Sequence, residues 1–246
     1  MPQSRFMRLW HFPRLWKEFK VKENMEYVST NARIPFRCER CARCCRNLEN
    51  ALMLDPFDIY NLSKHLREQG QEIIGTEDML AQYAHPNLLA GIYPIFQVNT
   101  EGEDHACVFL KDDRCSVYEA RPQVCRMYPF GVSPGERGRD FYYCLFREQQ
   151  HHFGVGSVKV KDWLDANFPK EAREFLKAHY EVLPKLGKAI QALSEERYKG
   201  LVFKTLYYLY FGYDLSKPFL TQYRANMAEL MKLLKEEAKE EPTCTP

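Results

Sequence analysis

The spacing of apolar positions predicts helices in the second half of the chain. Helical periodicity runs through four segments of residues 157–241: VKDWLDANF, KEAREFLKAHYEVL, EERYKGLVFKTLYYLYFGY and LTQYRANMAELMKLLKEEAKE. Ser194 is placed to cap the third helix, and Pro218 lies at the start of the fourth. The aromatic residues between Phe203 and Phe211 are typical of a buried helix face. We therefore expect this half to be a helical scaffold.

The first half has a more mixed pattern of short elements. LDPFDIYNLSKHLREQG predicts a helix with Asp55 as its N-cap and Pro56 at its first position. A second short helix is expected at TEDMLAQYA, with Thr76 as its cap. β-branched and aromatic residues become frequent from IYPIFQV onward, and CVFLKDDRCSVY predicts a β-hairpin that turns at KDDR and brings Cys107 close to Cys115.

These elements predict a mainly α protein of the α+β class. Its cysteine-rich metal-binding region contains short helices and a β-hairpin, and a helical C-terminal half follows. The expected boundaries are an N-terminal lead-in (1–35), a cysteine-cluster metal-binding domain (36–150), the helical region (157–241) and a tail (242–246).

The cysteines are concentrated in one region, and the rest of the sequence indicates that they are reduced. Eight of nine lie between Cys38 and Cys144, and the ninth, Cys244, is in the tail. The basic N-terminus lacks the apolar core of a secretory signal, and no apolar run is long enough to span a membrane. We expect a cytoplasmic protein, where clustered thiols bind metal more often than they form disulfides. The net charge of +2 does not predict nucleic-acid binding.

The densest cysteine motif is RCERCARCCR, residues 37–46. Each C-x-x-C unit can hold one Zn²⁺ or two corners of an iron–sulfur cluster, and the repeated spacing matches that of bacterial ferredoxins. Side chains of adjacent residues are expected to diverge, so Cys44 and Cys45 are assigned to different centres. Eight cysteines then make two four-thiolate centres, with one larger cluster as the alternative. The predicted metal ligands are Cys38, Cys41, Cys44, Cys45, Cys107, Cys115, Cys125 and Cys144.

Basic residues and histidines accompany these cysteines. An arginine recurs at every third position of the motif, at Arg37, Arg40, Arg43 and Arg46. They are expected to lower the thiol pKa values and stabilise an anionic centre, the alternative being a solvated basic turn. His105 is a weak ligand candidate, and His151 with His152 is interpreted as a surface pair.

The cysteine pattern resembles the CxxCxxCC family, a zinc- or iron-chelating domain that includes the flagellin lysine N-methylase. The motifs that carry the resemblance are CERCARCC, then CVFLKDDRCSVYEARPQVCRMYPFGV, then Cys144, over about residues 36–146. The resemblance implies the same eight cysteine ligands and leaves Cys244 without a counterpart. FGVGSV is too weak to indicate an S-adenosylmethionine site.

Three functions follow as hypotheses. The first is a redox-related protein that holds iron–sulfur clusters. The second is a structural zinc module that serves as a scaffold for the helical half and a protein partner. The third is a protein-modifying enzyme related to the lysine methylase. The redox or protein partner, the reaction and the substrate are not defined by the sequence.

Overall fold

A computed structural model of the chain describes residues 26–89, 93–135, 141–147 and 149–239. The first 25 residues of the lead-in and Cys244 lie outside these ranges. Within them the chain forms helices and small antiparallel sheets, and its C-terminal half is helical, so the predicted fold class is confirmed. None of the helices in the described ranges combines the length and the apolar composition that crossing a membrane requires.

The helices follow the sequence prediction closely. They are α1 (Pro56–Glu68), α2 (Thr76–Tyr83), α3 (Gln123–Met127), α4 (Val160–Asn167), α5 (Lys170–Gln191), α6 (Glu195–Leu206), which continues as a π-helical turn (Tyr207–Phe211), and α7 (Phe219–Lys239). Short 3₁₀ turns occur at Arg43–Cys45, Tyr118–Ala120 and Gln150–His152.

The strands are short and pair only in antiparallel fashion. They are β1 (Glu26–Val28), β2 (Arg33–Phe36), β3 (Met53–Leu54), β4 (Ala84–Leu89), β5 (Tyr93–Val98), β6 (Thr100–Glu101), β7 (Ala106–Cys107), β8 (Leu110–Lys111), β9 (Arg114–Cys115), β10 (Phe130–Pro134), β11 (Phe141–Leu145) and β12 (Phe153–Lys159). The sheets are ordered β1-β11-β10, β12-β2, β3-β5-β4, β6-β7 and β8-β9. The β8-β9 pair is the predicted hairpin, with Asp112 and Asp113 at φ 48° and 54° in its turn.

Local capping signals explain where the first two helices begin. Asp55 caps α1 as predicted, because its Oδ1 accepts a hydrogen bond from the Asp58 amide at 2.7 Å. Thr76 is not the cap of α2, since Gly75 holds that position. The Thr76 hydroxyl instead donates to the Tyr210 carbonyl at 2.6 Å. The Thr76 side chain, which was expected to cap the helix, therefore makes a tertiary hydrogen bond instead.

One continuous cluster of buried apolar side chains joins the cysteine-rich region to the helices. The Phe57 ring of α1 lies 5.6 Å from that of Phe175 in α5 and 5.1 Å from that of Phe219 in α7. The Tyr60 hydroxyl donates to the Lys217 carbonyl at 2.6 Å, which ties α1 to the segment before α7. The helices therefore support the elements that carry the cysteines.

The aromatic run at the end of α6 is only partly buried. Tyr210 is buried and donates to the Pro94 carbonyl at 3.0 Å. Phe203 is 72% exposed and Tyr207 is 49% exposed. The expected buried face is correct for Tyr210 and wrong for the other two. Because the helix widens into a π turn at Tyr207, the residues on either side of that point no longer share one face.

A buried carboxyl at the start of α1 makes folding stability depend on pH. Burial raises the pKa of Asp55 from 3.8 to about 6, against the hydrogen bonds from Asp58 and Phe57, which lower it. The folded protein therefore binds more protons than the unfolded chain between about pH 4 and pH 6. This contribution to stability is present at low pH and is lost as the pH rises through that range.

We predict that Asp55→Asn abolishes this contribution, because asparagine still caps the helix but does not titrate. Relative to the variant, the wild type should lose roughly 1–3 kcal/mol of unfolding free energy between pH 4 and pH 7. Chemical denaturation at several pH values measures the difference. Asp162→Asn, on an exposed position of α4, is the control. A wild-type-to-variant difference that is constant with pH would contradict the prediction.

Candidate metal centre

The cysteine motif folds into a tight turn through left-handed backbone positions. Arg40, Ala42 and Asn47 have φ values of 54°, 58° and 56°, and Arg43–Cys45 forms a 3₁₀ turn between them. Residues other than glycine rarely adopt positive φ, and such strained positions concentrate at functional sites. In the described ranges, every such residue lies between positions 40 and 113, within the cysteine-rich region.

Five thiols influence one another electrostatically, and we call them the five-thiol group: Cys44, Cys45, Cys107, Cys115 and Cys125. The hydrogen bond with Cys44 is the main cause that raises the pKa of Cys45, followed by burial. Burial raises the pKa of Cys107 to about 11 and also raises the pKa of Cys115 and Cys125. The negative charge of a Cys44 thiolate adds to each of these three shifts, which places Cys44 among them.

The adjacent cysteines of the motif share this group. The Sγ atoms of Cys44 and Cys45 lie 4.0 Å apart. The expectation that their side chains diverge is wrong, because the two sulfurs are in contact. Two thiolates that bind one tetrahedral Zn²⁺, each at about 2.3 Å, lie about 3.8 Å apart. The observed separation matches that arrangement closely.

Arg46 connects the motif to the loops that carry two of the later cysteines. Its guanidinium donates to the carboxylate of Asp104 and, at 2.6 Å, to Asp113 Oδ1. Asp104 precedes β7, which contains Cys107, and Asp113 lies in the turn before Cys115. The Asn47 amide adds a backbone hydrogen bond to the Asp104 carbonyl at 2.7 Å. These contacts position three cysteine-bearing segments side by side.

Cys125 is positioned by the buried carboxyl group of Asp58. It lies in α3, whose first residue, Gln123, donates its amide hydrogen to Asp58 Oδ1 at 2.8 Å. The Gln123 side chain also donates to the Asn167 carbonyl at 3.0 Å. The Cys125 residue is partly accessible to solvent. The protein atoms packed around its sulfur nevertheless raise the pKa of the thiol well above the usual value. Helices α1 and α4 thus fix the position of this thiol.

The arginines of the motif contact groups other than the thiols. Arg37 pairs with Glu39 at 3.4 Å, and the Arg40 guanidinium carbon lies 4.5 Å from the centre of the Tyr118 ring. An arginine outside the motif, Arg121, lowers the pKa of Cys115 against burial. That the motif's arginines lower the thiol pKa values stays a prediction of the sequence. Arg46 itself binds two carboxylates.

Three predicted ligands lie outside the five-thiol group, and two of them, Cys144 and Cys38, join no other group of three or more metal-binding side chains in the described ranges. Cys144 is buried in β11 opposite Gly131, and burial raises the pKa of its thiol. A Cβ at position 131 would overlap the Phe146 ring and lie 3.0 Å from the Cys144 Sγ atom, so glycine makes room for the ring and the sulfur. Cys38 lines an open groove of about 520 Å³ together with Arg40 and Arg121. The division into two four-thiolate centres stays a prediction of the sequence.

Cys41 contacts two histidines that the sequence did not identify as ligands. Its Sγ atom lies 3.1 Å from His151 Nε2 and 3.3 Å from His152 Nε2, and the three atoms are all within 4.8 Å of one another. Interpreting these histidines as a surface pair is wrong for His152, which is 1% exposed. The sequence feature that could have indicated this site is the pair of adjacent histidines shortly after Cys144.

The donor atoms fit a soft or borderline transition metal. Thiolate and imidazole suit zinc and iron, and neither donor type suits magnesium or calcium. Burial and the charge of neighbouring thiolates raise the pKa values of Cys107 and Cys125, so ionising these thiols together without a cation is costly. The fold and its donors define a cysteine-rich metal-chelating domain.

Comparison with protein-family models supports that class directly. Residues 37–145 match the CxxCxxCC model, described as a "Putative zinc- or iron-chelating domain". The match confirms the predicted resemblance and ends before His151. Comparisons with curated proteins and with solved structures found no match.

We predict that Arg46→Met weakens metal binding by roughly two- to tenfold, because exposed ion pairs contribute modestly and two are lost. Competition with a chelator measures the affinity. Arg37→Met, which removes one exposed pair outside the five-thiol group, is the matched control. Equal affinities of the two variants would show that the carboxylate contacts of Arg46 do not position the thiols.

Proposed function

We propose that the chain is a zinc-chelating protein in which the five-thiol group holds a structural Zn²⁺ ion. The observation that carries this proposal is the 4.0 Å separation between the Cys44 and Cys45 sulfurs. In a [4Fe–4S] cluster each thiolate binds a different iron atom, whereas in a zinc site two thiolates bind one ion. The short separation favours the shared ion.

Within this proposal five thiols of the chain are available for the four ligand positions of a tetrahedral zinc ion. Cys44 and Cys45 come from the turn, Cys107 and Cys115 from two strands, and Cys125 from a helix. Bound zinc supplies the positive charge that stabilises adjacent thiolates. Because the site joins segments with few regular hydrogen bonds, its binding free energy contributes to folding. The domain then serves as a metal-dependent scaffold for the helices and a protein partner.

A redox-related iron–sulfur protein is the second candidate. The C-x-x-C-x-x-C spacing of Cys38, Cys41 and Cys44 is the one that bacterial ferredoxins use for three corners of a [4Fe–4S] cluster. Under this candidate the eight predicted ligands form two four-thiolate centres and Cys44 and Cys45 serve different clusters. The two candidates therefore differ in what a substitution at each adjacent cysteine removes.

We predict that Cys44→Ser and Cys45→Ser each lose the same zinc ion, since a hydroxyl is a poor replacement for a soft thiolate. Protein purified without oxygen should be colourless and contain zinc. Elemental analysis gives the metal content, and substitution with Co²⁺ gives an absorption spectrum that reports the thiolate ligands. Cys144→Ala, outside the five-thiol group, should keep the ion.

Other outcomes separate the candidates. Iron with acid-labile sulfide, visible absorption and loss of different clusters from the two serine variants would establish the iron–sulfur candidate. Metal far below one equivalent, in a folded protein with intact thiols, would contradict both.

A further inference from the structure

We propose that Cys41, His151 and His152 form a second metal site, which binds a single Zn²⁺ ion separately from the five-thiol group. The two histidines follow the segment that matches the CxxCxxCC model, so the family description does not assign them. The site goes beyond a structural zinc ion, because its three protein ligands leave one coordination position open.

The distances between the three donor atoms suit one ion. The Cys41 sulfur lies 3.1 Å and 3.3 Å from the two Nε2 atoms. A thiolate and an imidazole bound to the same tetrahedral zinc, at about 2.3 Å and 2.0–2.1 Å, lie about 3.5 Å apart. Small adjustments of the Cys41 and His151 side chains, which are not buried, would bring the observed distances to that value.

The backbone brings the histidines to the cysteine. Strand β2 pairs with β12 so that Phe36 lies opposite Phe153, and the Arg37 amide donates to the His152 carbonyl at 2.9 Å. The motif therefore begins beside the 3₁₀ turn that ends at His152. Left-handed residues on both sides of Cys41, Arg40 and Ala42, turn its side chain at this point.

The surroundings of His152 orient its ring toward Cys41. The ring is buried between Phe36 and Tyr128, with centroid distances of 5.8 Å and 6.1 Å. In the described part of the chain, no hydrogen-bond partner reaches its buried Nδ1 atom. A proton on Nδ1 leaves the lone pair of Nε2 directed at the site, as zinc coordination requires. Two Nε2 lone pairs that meet at one sulfur repel each other unless a cation or protons lie between them.

A hydrogen-bonded cluster without metal is the competing arrangement, with Cys41 as a thiolate that accepts from both imidazoles. The two arrangements differ in what zinc does to the reactivity of Cys41. Coordination blocks the sulfur from alkylation, whereas hydrogen bonds alone leave its reactivity independent of zinc.

The test is residue-resolved alkylation of the full chain. Reduced protein stripped of metal with a chelator is titrated with zinc, treated with iodoacetamide and analysed by mass spectrometry at each cysteine. In the wild type we expect zinc to protect Cys41. In His151→Ala the zinc concentration that protects Cys41 should rise at least about tenfold, with protection of Cys115 unchanged. His65→Ala, on α1, is the matched histidine control.

A second variant guards against loss of folding. His151 is partly exposed, but His152 is buried, so His152→Gln is used with circular dichroism to verify the fold. Either folded variant should also contain about one equivalent less zinc than the wild type. The proposal is overturned if zinc does not change the alkylation of Cys41. It is also overturned if zinc protects Cys41 in the histidine variants at the same concentration as in the wild type. Equal loss of protection at Cys41 and Cys115 would establish one joint site and overturn the separate one.

Discussion

The constraint on which this structure depends is the cost of placing several thiols close together. A thiol that lies near other thiols resists ionisation: the hydrogen bond with Cys44 raises the pKa of Cys45, burial raises the pKa values of Cys107 and Cys125, and neighbouring thiolates add to each shift. Metal coordination requires thiolates, so a bound cation must stabilise the negative charge that the fold disfavours. The fold keeps the thiols in place, and the metal makes their ionised form favourable.

The fold meets that constraint by fixing each thiol from a different direction. Arg46 attaches the motif to the loops of Cys107 and Cys115 through two carboxylates. Asp58 of α1 holds the N-terminus of the helix that carries Cys125. Because α1 packs against α5 and α7 through Phe57, the helical half contributes to the geometry of the metal centre. The cysteine region and the helices are linked through one core.

The features that could be predicted from the sequence are those that local chemistry determines. Asp55 and Pro56 define the start of α1, and the KDDR turn defines the hairpin between β8 and β9. The grouping of the thiols and the role of His152 depend on contacts between residues far apart in sequence, such as the pairing of β2 with β12. Arg46 was recognised as basic, but its partners Asp104 and Asp113 lie 58 and 67 residues away.

The position of the bound metal relative to Cys44 and Cys45 tests the account most directly. A crystal of metal-loaded protein, measured above and below the zinc absorption edge, locates the ion by anomalous scattering. The account predicts one zinc peak at about 2.3 Å from both the Cys44 and the Cys45 sulfur. Peaks that place these two sulfurs on different metal centres, or an iron cluster at either of them, would contradict it.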